Sequence, residues 1–201
     1  MASNSVLDER TLRELYLTAF EIVVKEAHPK SIMSAYNKVN DTYANENRHL
    51  LVDILRREWG FDGAVVTDWG GSNDHVEGVK NGSTLEMPSP GLGGARKLLK
   101  AVAEGRLTEQ EIDQRVDELL ELVLSTTEAM EKAPRRFDEK AHHDLARRAA
   151  AESIVLLKNE GGILPLKQGR KVALIGDFAL TPRYQGAGSS MVNPTKVDSL
   201  K

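Results

Sequence analysis

Gly60-Phe61-Asp62-Gly63-Ala64-Val65-Val66-Thr67-Asp68-Trp69-Gly70 is the stretch on which the reading of the whole chain turns. Asp62-Gly63 leads into Ala64 to Thr67, an unbroken β-prone run of the kind buried on both faces in a parallel sheet. That strand ends at Asp68, and Gly70 to Asp74 follow as a loop rich in helix-capping residues. On the near side, Leu50, Leu51, Ile54 and Leu55 share one face of a helix expected from about Glu46 to Trp59, which Gly60 stops. Farther back, residues 39–44 read as a turn and Ser31 to Tyr36 as a short strand. Before them, Leu12, Leu15, Tyr16, Ala19, Phe20 and Val23 recur three and four apart and predict an amphipathic helix over 8–26, with no strand ahead of it.

Working outward in the other direction, a short helix should run to about Lys80, and Thr84-Leu85-Glu86-Met87 forms one more brief strand closed by Pro88. A helix over 94–104 comes next. Strand and helix alternate, which implies right-handed crossovers and a parallel sheet, yet three such units are too few to close a barrel. Thr108 and Glu111 have the spacing of a capping box and open a long helix whose Ile112, Val116, Leu119, Leu120 and Val123 are expected to dock on the sheet. Residues 131–140 hold Pro134 and many charges, as a surface linker does, and Asp138 caps a further helix through Ala151. Beyond an apolar run at Ser153 to Leu157 and a turn at Asn159 to Gly162, Lys171 to Gly176 reads as a strand opening a second α/β unit. The expected division is therefore 1–130, a linker and helix over 131–170, and a new unit over 171–201.

Composition narrows the function classes. With 40% apolar residues in 201, the chain can bury a core, and 30 acidic against 27 basic residues give no field that points to nucleic acid or an anionic membrane. The expected partner is a small neutral molecule or another protein. Cysteine is absent, which removes disulfides and thiolate chemistry. No run approaches the roughly 18 apolar residues of a membrane span. The opening MASNSVLDER lacks a secretory leader, so the chain reads as soluble, its compartment open with cytoplasm the default. No cofactor is expected. Gly186-Ala187-Gly188-Ser189-Ser190 begins ten residues past Gly176 and lacks the spacing of a phosphate loop. His142-His143, adjacent on a helix, point roughly 100° apart and have no third ligand at suitable spacing, so no metal is expected either. His28, His49 and His75 read as surface or supporting residues, His75 being the one near the Asp68 loop.

In parallel α/β architectures ligands gather at the C-terminal ends of strands. Of the three strand ends here, Asp68-Trp69 combines a carboxylate with an aromatic platform. Asp68 is expected to project into a cavity, while the Trp69 face suits the C–H surface of a pyranose. A carboxylate so placed can attack an anomeric carbon, with a second carboxyl about 5–5.5 Å away to protonate the leaving oxygen. Spacing alone leaves open the plainer role of capping the next helix.

The runs Met33-Ser34-Ala35-Tyr36-Asn37-Lys38-Val39-Asn40, Leu51 to Gly63 and Val65-Val66-Thr67-Asp68-Trp69-Gly70 closely resemble the nucleophile region of glycoside hydrolase family 3 β-glucosidases. Leu85-Glu86-Met87-Pro88, Ser153 to Glu160, Leu164-Pro165-Leu166 and Gly186 to Ser190 fall where that family has similar words, so the resemblance spans essentially the whole chain. It implies an α/β fold: the C-terminal portion of a (β/α)8-type barrel followed by the beginning of an α/β sandwich domain. It implies retaining hydrolysis of terminal β-D-glucosides, with Asp68 as the nucleophile and Trp69, Tyr36 and Met33 lining the sugar subsite. Ser189 and Ser190 would reach that sugar from a loop of the second domain. None of the glutamates present matches the family's acid/base, which would lie beyond Lys201, and its lysine-histidine pair would precede Met1. A fragment of this kind is expected to be inactive alone, and to join other copies or the remainder of its polypeptide. The alternative is a truncated module that binds carbohydrate or oligomerises. Thr67 stands where serine is frequent, Asp41 where glycine is usual and Thr18 where proline is common. Trp69 favours a glucoside, because xyloside-acting relatives often carry cysteine there.

Overall fold

The computed structural model describes residues 3–133 and 137–200. The linker residues 134–136, like Met1, Ala2 and Lys201, lie outside that range. Two units are distinguished, Met1–Ala133 and Pro134–Lys201, and the fold is mixed α/β and rich in helix.

In the first unit the strands are β1 (Asn4–Ser5), β2 (Ser31–Met33), β3 (Lys38–Val39), β4 (Thr42–Tyr43) and β5 (Ala64–Val66). β2 and β5 pair in parallel, Ser31 opposite Ala64 and Met33 opposite Val66. Leu85 extends this sheet by a single parallel bridge to Val66, so the strand expected over 84–87 shrinks to one bridged residue. Thr67 and Leu85 are still joined, through the Thr67 N–H and the Leu85 carbonyl at 3.0 Å. Ala64 and Val65 are fully buried, as an all-apolar central strand requires. Gly63, just before them, passes so close to Lys30 that a Cβ there would lie 2.4 Å from the Lys30 carbonyl oxygen.

The second sheet corrects two expectations. A strand, β1, does precede the first helix, and the expected turn over 39–44 is a hairpin. β3 pairs antiparallel with β4 across the two-residue turn Asn40-Asp41, and parallel with β1. Both turn residues have positive φ, 48° and 71°, the geometry that matches the twist of the flanking strands. Asp41 is held by Asn4, whose side-chain amide donates to Asp41 Oδ1 at 2.7 Å and accepts the Asp41 N–H at 3.0 Å.

The first helical run starts at Glu9–Thr11 behind the Asp8 cap and ends with Val23–Ala27, parts of it wound in wider π-type turns. The helix His49–Glu58 is π-type as well, and Gly60, at φ +75°, turns the chain so that the Phe61 N–H reaches the Leu55 carbonyl at 3.1 Å. Its apolar face builds the core: Leu51, Ile54, Leu55 and Trp59 pack with Val24, Phe61 and Val65. Burying an aliphatic side chain of this size contributes about 1.5–3 kcal/mol.

Farther along come His75–Lys80, Gly91–Ala103 and Glu109–Lys132, the last opened by the expected capping box at Thr108 and Glu111. The face this long helix buries is only partly the one the apolar spacing predicts: Ile112 packs against the buried cluster of Val76, Ala101 and Leu107, and Leu119 is partly buried. Val116, Leu120 and Val123 are half exposed, whereas Arg115 and Glu118 are buried. The reason is Arg56. Its guanidinium donates to the Gly63 and Gly82 carbonyls at 3.1 and 3.0 Å and pairs with Glu118 at 2.9 Å, and Glu118 in turn binds Arg115 at 2.7 Å. The Thr84 hydroxyl donates to Glu118 at 2.6 Å and accepts the Val65 N–H at 3.0 Å, tying helix to β5. A paired, multiply hydrogen-bonded charge can thus occupy a position that apolar periodicity assigns elsewhere.

In the second unit Asp138 caps the helix Glu139–Ser153 as expected, and a short 3-10 turn occupies Glu160–Gly162. Lys171 to Gly176 does not form the expected strand: Val172, Leu174 and Ile175 are exposed, and among the described residues no segment pairs with them. No helix among the described residues is long and apolar enough to cross a membrane.

Candidate active site

The C-terminal ends of β2 and β5 lie side by side because Met33 and Val66 are register partners and the Ser34 N–H donates to the Val66 carbonyl at 2.8 Å. Two parallel strands therefore deliver Met33 and Tyr36 from one and Asp68 and Trp69 from the other to the same edge. Asp68 Oδ1 accepts the Trp69 N–H at 2.6 Å. The Tyr36 hydroxyl hydrogen-bonds the Asp68 carboxylate, and that bond, with some burial and the carboxylate's charge, holds the phenol above the ordinary tyrosine range. Trp69 and Met33 present wide faces to solvent, 67% and 61% exposed.

The loop after Asp68 is stitched at several points. Thr67, buried, donates its hydroxyl to the Met87 carbonyl at 3.1 Å and accepts the Met87 N–H at 2.9 Å. The Gly70 N–H binds the same Met87 carbonyl at 2.8 Å. His75 places Nδ1 2.6 Å from Glu86 and 3.3 Å from the Ser72 hydroxyl, so its imidazole joins the loop to the Leu85 segment. Asp74, rather than Asp68, caps the next helix, accepting the Val76 and Glu77 N–H groups at 2.9 and 3.2 Å. That removes the plainer role the spacing of Asp68 had left open.

Met33, Tyr36, Asp68 and Trp69 are thus brought together. Ser189 and Ser190 belong to the other unit, where they occupy the exposed turn Gly188–Ser190, and the Ser190 hydroxyl donates to the Ala187 carbonyl at 3.0 Å. The expectation that Asp68 faces an enclosing cavity needs correction. A cleft of about 660 Å³ is lined by apolar groups such as Leu12, Phe20, Ile32 and Leu55, and Met33 is the one member of the four that borders it. Asp68 is half exposed outside it, since two strand ends can wall only one side of a hollow.

Sequence reading overlooked Glu46, whose Oε1 accepts the N–H groups of Asn73 and Asp74 at 2.8 and 2.6 Å. It also overlooked Asn45, buried, which accepts the Ser34 hydroxyl at 2.9 Å. Their partners are 11 to 28 residues distant, and no local pattern marks such a pairing.

Comparison with known proteins identifies the family of the chain. Residues 3–122 match the glycosyl hydrolase family 3 N terminal domain and residues 154–201 the glycosyl hydrolase family 3 C-terminal domain. The chain is 47% identical over 200 residues to the thermostable beta-glucosidase B of Acetivibrio thermocellus, which covers 100% of this chain and 26% of that protein. It is 44% identical over 203 residues to an exo-alpha-(1->6)-L-arabinopyranosidase of Bifidobacterium breve, covering 96% of this chain and 27% of that protein. A solved GH3 beta-glucosidase of Bifidobacterium adolescentis superposes with TM-score 0.78 at 43% identity, over 98% of this chain and 29% of the other. Beta-glucosidase 3B of Thermotoga neapolitana, solved with alpha-D-glucose, gives TM-score 0.79 at 35% identity, over 96% of this chain and 28% of the other. The chain spans about a quarter of the length of these relatives. On the extent of these matches, the chain belongs to glycosyl hydrolase family 3.

Proposed function

We propose that this chain is part of a retaining β-glucosidase in which Asp68 is the nucleophile. The observation that carries the proposal is the convergence of Asp68, the Tyr36 hydroxyl and the open Trp69 face on one strand edge. Residues 1–130 form the last part of a (β/α)8-type barrel, and the residues after Lys171 open an α/β sandwich whose strand forms once its neighbours are present to pair with it.

The chemistry follows from the groups at hand. Trp69 offers its face to the C–H groups of the sugar ring, leaving the hydroxyls to polar partners. One Asp68 oxygen attacks the anomeric carbon and forms an ester bond as the glycosidic oxygen departs, protonated by a carboxylic acid that the rest of the polypeptide supplies. Water then cleaves the ester, giving its proton to the same acid's conjugate base and restoring the carboxylate. The Tyr36 hydrogen bond favours the anionic carboxylate and fixes its direction of approach. No cofactor or metal takes part in these steps.

Terminal β-D-glucosides are the proposed substrates. The name of the Bifidobacterium breve relative supports a second substrate reading, α-L-arabinopyranosides. In its usual chair that sugar also presents an equatorial bond at the anomeric carbon, so the same attack from the opposite face serves both. The test is made in the full-length protein, with aryl β-D-glucoside and aryl α-L-arabinopyranoside offered side by side. Asp68→Asn should abolish turnover of whichever is cleaved, and a fluoroglucoside inactivator should add its sugar to the Asp68 peptide. Wild-type turnover by Asp68→Asn would refute the assignment.

A further inference from the structure

We infer that Glu46 is a positioning residue that holds the loop 69–74 in place and thereby sets the angle at which Trp69 meets the sugar. The inference rests on the proposed role of Trp69. Two successive backbone N–H groups, of Asn73 and Asp74, converge on the single oxygen Glu46 Oε1. A pair of amides closing on a carboxylate oxygen is a charge-assisted arrangement, shorter and firmer than two neutral bonds.

The position of Glu46 gives this bond its reach. It ends the short turn Ala44–Glu46, and its neighbour Asn45 grips the Ser34 hydroxyl at the end of β2. One rigid turn therefore fixes the strand end that carries Met33 and Tyr36 to the loop that carries Trp69. Asn45 is also packed against Gly78 of the following helix, where a Cβ would lie 3.3 Å from Asn45 Nδ2. At its start the loop is held by the Gly70 N–H on the Met87 carbonyl. Between these anchors Gly70 takes φ +77° and Gly71 leaves room for only 3.1 Å between an added Cβ and the Asp68 carbonyl, so the chain folds tightly under Trp69. Releasing the Glu46 end lets Asn73 and Asp74 drift, and the drift is passed through two glycines to the indole. Thr67, the residue before Asp68, stays anchored by its two hydrogen bonds to Met87, so the strand end that carries the carboxylate holds its place. The loss should therefore fall on sugar binding more than on bond making.

Steady-state kinetics of the full-length protein on an aryl β-glucoside test this, with Asp68→Asn as reference. Glu46→Ala should raise KM about tenfold and lower kcat by less than about threefold, the signature of lost ground-state binding. Glu46→Gln keeps an oxygen that can accept both amides and should recover most of the loss. Wild-type KM in Glu46→Ala, with Asp68→Asn inactive, overturns the inference alone. So does a fall in kcat that merely tracks a smaller folded fraction. Should Glu46→Ala fail to fold, Glu46→Asp, one methylene too short, decides: native circular dichroism with raised KM supports the inference, and unchanged KM overturns it. An active Asp68→Asn refutes the underlying functional reading, and this inference falls with it.

Discussion

Ala64-Val65-Val66-Thr67 and Val172-Ala173-Leu174-Ile175 look alike as sequence, yet only the first becomes a strand. β5 has Ser31 to Met33 on one side, Leu85 on the other and the His49–Glu58 helix packed on it, and its Ala64 and Val65 are fully buried. The run at 172–175 has no strand partner among the described residues, and Ile175 is 94% exposed. A strand is a relation between segments: β-prone residues lower its cost, but the ladder and the covered face supply the stability. The first unit meets those conditions within itself. In the second, the one buried residue among those described is Ala179.

That contrast can be broken most forcefully at Glu118. Glu118→Ala leaves the buried guanidinium groups of Arg56 and Arg115 without their shared counter-charge, at a cost of about 3–5 kcal/mol. Denaturant unfolding should register it, whereas Asp198→Ala, which removes a partly exposed partner of His143, should leave the unfolding midpoint nearly unchanged. Next in size, Val65→Ala should destabilise by about 2 kcal/mol, while Val172→Ala should stay within about 0.5 kcal/mol. Equal responses at 65 and 172 would mean that the second run is packed after all. Helix caps offer a finer comparison, because both units contain one. Thr108→Ala should lower thermal stability by about 1 kcal/mol through loss of the capping box. Asp138→Ala should instead reduce the helical circular dichroism of the second unit without moving the main transition.

The smallest signal lies in the titration of Tyr36. The neighbouring carboxylate disfavours the phenolate, so the tyrosinate absorbance of this residue should emerge at higher pH than that of an ordinary tyrosine. Asp68→Asn should bring it back down. An unchanged titration in that variant would show that the two side chains are not coupled in solution.

What the sequence reveals and conceals follows the same division between local and distant causes. Gly60 as a helix stop, Thr108 with Glu111, Asp138 and the apolar strand before Asp68 are legible because each acts within a few residues of itself. The hairpin at 38–43 escaped notice because its strands are two residues long and are completed by Asn4 and Ser5, more than thirty positions away. On the helix Glu109–Lys132 the apolar stripe pointed to Val116, Leu120 and Val123, since a periodicity argument has no means of knowing that Arg56 awaits Glu118. At the candidate site, Asp68, Trp69 and Tyr36 could be named from strand-end chemistry and family resemblance. Glu46 could not, because its role exists only when a turn and a loop meet.

The charged knot of Arg56, Glu118 and Arg115 also affects how this unit should respond to heat. Water solvates ions less favourably as temperature climbs, so the desolvation cost of keeping these three groups dry diminishes, while the gain from apolar burial levels off. Warmth therefore shifts the balance of cohesion from the oily side of the helix His49–Glu58 toward its ionic side. Calorimetry of the native chain beside a variant with an uncharged, volume-matched replacement of the trio would reveal two stability curves converging as the temperature rises.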